Sequence, residues 1–128
     1  SFKQYMGMVV MIKDKNSEKR YEYDLKITDV ERKTEELHIQ ERQLRESLEN
    51  FNSEMTRSFR GLMGMEDELN RRSHGSSGYI ETEQKRRYVT QLIENQQEEQ
   101  ALQFRKASQQ LEDERENLIK ERSKLPWD

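Results

Sequence analysis

The sequence predicts an all-α protein: a long antiparallel two-helix hairpin of coiled-coil type, completed into a bundle by a partner or a second copy. Three observations predict it. Positions alternately four and three apart from Tyr23 (Ile27, Val30, Thr34, Leu37, Glu41, Leu44, Leu48, Phe51, Met55, Ser58, Leu62, Met65 and Leu69) are apolar at eleven of fourteen places, counting Tyr23. A 3.5-residue period of that length keeps one helix stripe against another helix. The only Gly/Ser cluster, Gly75-Ser76-Ser77-Gly78, then separates this ladder from a second helical pattern. Finally, 38% of the 128 residues are charged and 30% hydrophobic, with one Pro and five Gly, a balance that suits long exposed helices better than a thick core.

Taken in order, residues 1–16 form a basic arm, with Lys3, Lys13 and Lys15 against Asp14. Met6, Met8 and Met11 offer alternative starts, so part of residues 1–12 is expected to be foreign to the native chain and carries little functional weight. Residues 17–128 make one hairpin domain. Its first helix runs from Ser17 to Leu69. A connector at Asn70–Gly78 follows, with the turn at residues 71–78, and Gly78 caps the second helix so that Glu81 and Glu83 meet its positive end. The second helix runs from Tyr79 to Lys124, where Pro126 excludes further helix. A turn centred near Gly75 places Leu69 across from Ile80, Leu62 across from Tyr88 and Val89, Leu37 across from Leu111, and Val30 across from Leu118.

Composition excludes several function classes. No apolar run approaches the ~20 residues that cross a bilayer, so no membrane insertion is expected. A net charge of −3 argues against nucleic acid as a partner. At the turn, Arg71, Arg72, Lys85, Arg86, Arg87 and His74 gather beside Tyr79 and Tyr88, but Glu81 and Glu83 sit among them, so this cluster reads as a solvated helix start. Without cysteine there is neither thiolate nucleophile nor disulfide. No nucleophile–base pair or phosphate-cradling Gly loop occurs, and no enzymatic activity, cofactor or metal is expected. Glu35-x-x-His38 is half of a di-iron ligand motif, but Thr34 and Leu37 hold the seam and turn both side chains aside.

The expected function is to bind a helix. Between Glu94 and Gln100 the second helix has no apolar residue, and Leu48, Phe51 and Met55 lie opposite that gap. Phe59, Leu62, Met63 and Met65 continue the apolar surface, and Met side chains repack readily against varied partners. Gly61 and Gly64 have two readings: they let the second helix approach closely, or they belong to this docking face. Trp127 either caps the open end of the hairpin or anchors a partner. The partner-binding set is therefore Leu48, Phe51, Met55, Phe59, Leu62, Met63, Met65 and Trp127. A lone hairpin with so thin a seam is expected to self-associate or melt at modest temperature, so homo-oligomerisation stands beside a foreign partner.

Residues 17–128 resemble the small α-helical accessory proteins encoded beside LXG-domain toxins of the bacterial type VIIb secretion system. The likeness lies in two long Glu/Arg/Gln-rich helices and in the stretch from Glu112 to Leu125, Glu-Asp-Glu-Arg-Glu-Asn-Leu-Ile-Lys-Glu-Arg-Ser-Lys-Leu. The resemblance implies a cytoplasmic adaptor, or targeting chaperone, that binds a toxin's helical LXG region and is in some cases exported with it. Phe59-Arg60-Gly61 precedes the turn and Tyr79-Ile80-Glu81-Thr82-Glu83 opens the second helix, so neither stands where related export substrates carry Trp-x-Gly and Tyr-x-x-x-Asp/Glu. The alternative is a coiled-coil stalk or scaffold of another export apparatus or of a cytoskeletal or trafficking assembly.

Overall fold

The computed structural model describes residues 1–73 and 78–126, with the side chains of residues 9–14 and 73 outside that description. Two long helices, α1 (Phe2–Ser73) and α2 (Tyr79–Ser123), pack against each other as a hairpin, and no strand occurs among the described residues. The sequence-based bounds hold closely for α2. For α1 they do not: residues 2–16, read as an arm, are helical, and α1 continues past Leu69 to Ser73. Nothing in the arm forbids this, since its one interior breaker is Gly7, and a single helical Gly costs only about 1 kcal/mol relative to Ala. The centre of the expected turn, residues 74–77 including His74, lies outside the described residues.

The helix ends follow elementary capping chemistry. The Ser1 hydroxyl accepts from the Gln4 amide at 3.4 Å, and the Ser1 carbonyl accepts from Tyr5 N at 3.0 Å, so Ser1 caps α1. Gly78 caps α2 as expected, its carbonyl accepting from Thr82 N at 2.8 Å. Arg71 and Arg72 occupy the last turn of α1, and Glu81 the first turn of α2, each complementing the helix dipole. After Ser123, the amides of Lys124 and Leu125 reach back to Glu121 and Arg122 at 3.2 Å each, tightening the last turn before Pro126.

The chain divides into two compact units, a terminal one of Ser1–Ile39 with Arg105–Asp128 and a central one of Gln40–Phe104. In the terminal unit the seam obeys the heptad ladder. Ile27 and Val30 are buried, Val30 to 2% exposure, and Tyr23, Thr34, Leu37, Leu111 and Leu118 are half-buried. Val30 and Leu118 line a common cleft with Leu25, as the register requires. Ion pairs between the helices flank this seam: Arg122 to Asp24 at 2.6 Å and Arg115 to Glu31 at 3.4 Å. Arg20 Nη2 also donates to the Pro126 carbonyl.

In the central unit the seam departs from the ladder. Its inner, half-buried positions on α1 are Glu41, Leu48, Asn52, Met55, Phe59, Met63 and Glu66, with Thr82 and Ile93 buried and Val89, Gln97, Gln100 and Phe104 half-buried on α2. From Leu48 onward the spacing averages nearer 3.6 than 3.5. Phe51, Leu62, Met65 and Leu69, placed at the seam by the ladder, are instead exposed. An undistorted helix slips about 20° per heptad against a strict 3.5 repeat, so late rungs of a straight ladder slide off the contact face. The expected meetings of Leu69 with Ile80 and of Leu62 with Tyr88 are corrected accordingly: all four side chains are exposed.

Candidate partner-binding surface

The central unit has a mixed inner face, where Leu48, Met55, Phe59, Met63, Val89, Ile93 and Phe104 stand among polar side chains, and a further apolar surface outside it. Its inner face carries Asn52, Glu66, Thr82, Gln97 and Gln100, and its outer face carries Phe51 (51% exposed), Leu62, Met65 (64%) and Leu69 (62%) on α1 with Tyr88 and Leu92 on α2. At 100° per residue, Leu44, Phe51, Leu62 and Leu69 fall within about 20° of one another, with Met65 about 40° to the side. They form one stripe along α1. Helical geometry sets this stripe about 80° from the seam and turns it to the side on which Leu92 and Tyr88 emerge from α2.

The residues singled out from the sequence therefore separate into two groups. Phe51, Leu62 and Met65 are exposed on the stripe; Leu48, Met55, Phe59 and Met63 are half-buried at inner positions. Leu48 lines a cleft of about 280 Å³ with Glu41, Arg45, Glu49, Gln97, Gln100, Ala101 and Phe104, across from the apolar gap of α2. Trp127 lies outside the described residues. Leu44, Leu69, Tyr88 and Leu92 belong to the exposed surface and were missed, because the strict ladder assigned the first two to the seam and gave no reason to look at the outer face of α2.

Gly61 and Gly64 answer one of the two readings. A Cβ built on either meets nothing within 4 Å, so neither glycine is required for α2 to approach. Gly78 differs. Its Cβ would lie 3.3 Å from Glu66 Oε1, which also accepts from the Thr82 hydroxyl at 2.6 Å. Glu66 thereby joins α1 to the start of α2, while its second oxygen, Oε2, is enclosed without a hydrogen-bond partner.

The arginines at this end are held by carboxylates of their own helices. Arg71 pairs with Asp67 at 3.3 Å, Arg72 with Glu68 at 3.2 Å, and Glu83 receives Arg86 at 2.6 Å and Arg87 at 3.2 Å. Hydrogen bonds from Arg86 first, and then Arg87, hold the Glu83 carboxyl at about 2 against an ordinary 4.5. In the terminal unit, hydrogen bonds from Arg32 and then Lys33 lower Asp29 in the same way. Glu35 and His38 are exposed on α1, and among the described residues no three metal-binding side chains are grouped. Among the described residues, no helix is long and apolar enough to cross a membrane.

What the fold and this surface define is a helical hairpin with an apolar stripe beside its own seam. No family model, curated protein or solved structure matches the chain.

Proposed function

We propose that this chain is a non-catalytic helical adaptor whose central unit takes up the apolar face of an amphipathic partner helix. One observation carries the reading: the central unit mixes polar side chains into its inner face while Phe51, Leu62, Met65 and Leu69 form an exposed apolar stripe beside it, which a self-sufficient hairpin has no reason to do. A helix laid along the stripe would contact both α1 and, through Tyr88 and Leu92, α2, using the usual i, i+3, i+4, i+7 anchors. The resemblance to LXG accessory proteins supplies the partner: the helical LXG region of a type VIIb toxin, kept folded in the cytoplasm and guided to export.

The test is titration of purified LXG regions against the chain and against its Phe51→Asp/Met65→Asp variant. Both positions are exposed, so the substitutions leave the hairpin intact, and helix content by circular dichroism should be unchanged. Micromolar or tighter binding to an LXG region, lost in the variant, supports the adaptor. If no LXG region binds, the toxin assignment falls. Binding that survives the double substitution but is lost on deleting Trp127 puts the docking face at the other end of the hairpin.

A further inference from the structure

Four exposed residues of the central unit's stripe are spaced as their own mirror image. Leu44, Phe51, Leu62 and Leu69 are separated by seven, eleven and seven residues, a palindrome centred between Thr56 and Arg57. Two copies of α1 laid antiparallel about that centre bring Leu44 against Leu69 and Phe51 against Leu62. Each of the four then meets another of the four on the other copy. A contact in which residue i meets j while j meets i is what a two-fold symmetric pair requires. A parallel pair would instead stack Phe51 on Phe51 and Leu62 on Leu62.

We propose that the occupant of the stripe, in the absence of any other protein, is a second copy of this chain, bound antiparallel through the central units to form a four-helix assembly. The inference rests on the reading of the stripe as a helix-binding surface and names what covers it. The area suffices. With about 200 Å² for a large apolar side chain, the exposed fractions of Leu44, Phe51, Leu62, Met65, Leu69, Tyr88 and Leu92 leave about 750 Å² per copy, or about 1,500 Å² for the pair. That is the size of a standard specific interface before any backbone or polar rim is counted. Glu54 stands on the outward flank of the stripe. Gly61 lies on the same flank with open space above its Cα, so the second α1 can approach closely there.

The chain has no cysteine, so crosslinking reads the pairing directly. Phe51→Cys and Leu62→Cys are made as separate single variants. In the antiparallel pair the two copies of residue 51 stand about 16 Å apart along the helices, beyond the roughly 7 Å that a disulfide spans. Each variant alone should therefore remain uncrosslinked on oxidation, and an equimolar mixture should give a covalent dimer. Sedimentation of the unmodified chain should show a dimer that Phe51→Asp converts to monomer with helix content retained. Crosslinking of Phe51→Cys by itself would mean a parallel pair, and a chain that stays monomeric at all concentrations would mean no pair at all; either result overturns the proposal. Titration with an LXG region separates the two readings. A monomer that binds it keeps the adaptor and loses the self-pairing, whereas a dimer that binds none keeps the self-pairing and loses the toxin partner.

Discussion

Replacing Thr82 by Val tests whether the link between Glu66 and the start of α2 holds the central unit together. Thr82 is 5% exposed, and its hydroxyl donates to Glu66 Oε1 at 2.6 Å. Val has nearly the same volume, so no cavity is made. What is lost is the hydrogen bond from Thr82 to Glu66 Oε1, beside an Oε2 that is itself enclosed without a hydrogen-bond partner. A hydrogen bond to a charged group is worth about 1.5–3 kcal/mol, and an unsatisfied buried acceptor costs about 1–3 kcal/mol, so about 2 kcal/mol is expected. For a chain of this size that corresponds to a fall in midpoint of roughly 6–10 °C.

Urea and thermal unfolding followed by helical circular dichroism, at one fixed protein concentration because the proposed self-association would add to apparent stability, give the value. The diagnostic feature is an asymmetry. Glu66→Met should cost less than Thr82→Val, because the freed hydroxyl can turn to a carbonyl of its own helix, whereas a stranded carboxylate has no such recourse. Glu66→Met with Thr82→Val removes both polar groups and should recover most of the loss, a coupling of about 1–3 kcal/mol. A Thr82→Val variant within about 0.5 kcal/mol of the parent, or a double variant that equals the sum of the singles, would refute the account.

Other perturbations follow from the same geometry. Val30→Ala, at a site 2% exposed, should destabilise the chain by about 2 kcal/mol, and Leu25→Ala, on the 53% exposed side of the same helix, by under about 0.5 kcal/mol; equal losses in urea unfolding would mean the terminal seam is misplaced. Gly61→Ala and Gly64→Ala should each raise stability by up to about 1 kcal/mol, since a Cβ meets nothing at either site, and a loss measured on the isolated chain would reveal a close neighbour at that face. Glu83 is depressed to about 2, so its ionised form favours the folded state. That contribution is full above the ordinary carboxylate value of 4.5 and is lost as pH falls toward 2. Acid titration of Glu83→Gln should therefore show a shallower fall over that window, and an unchanged profile would count against the pairing with Arg86 and Arg87.

The hairpin was legible in the sequence because its signals are local. The Gly/Ser cluster ending at Gly78 marks a helix start ahead of Glu81 and Glu83, Pro126 forbids continuation, and the ladder through Ile27, Val30, Thr34 and Leu37 matches the buried seam of the terminal unit. The arm was misread because basic charge and clustered Met say nothing against helix. The central seam was misread for a different reason. Extrapolating a 3.5 repeat assumes that the helix underwinds to follow it, and Phe51, Leu62, Met65 and Leu69 show α1 nearer its natural 3.6. Glu66 gave no signal at all, because its role depends on Thr82 and Gly78 arriving from the other helix.

Underwinding has to be driven by something, and in a coiled coil the drive is the apolar area gained by keeping every rung in contact. In the terminal unit, Ile27 and Val30 supply it. In the central unit the facing positions of α2 include Gln97 and Gln100, and Asn52 and Glu66 sit inside on α1 among Leu48, Met55, Phe59 and Met63, so less apolar area is gained by bending the remaining rungs inward. The helix keeps its own pitch and the rungs emerge at the side. A sequence that retains a long heptad ladder but places polar residues across from half of it has the pattern of a helix whose second contact surface belongs to another chain. The mirror spacing of Leu44, Phe51, Leu62 and Leu69 makes an identical chain able to provide that surface, and a foreign amphipathic helix with the same period would compete for it. On the two proposals together, occupancy of the stripe would link the assembly state of the chain to the presence of a partner, with the free chain paired and the loaded chain released from the pair.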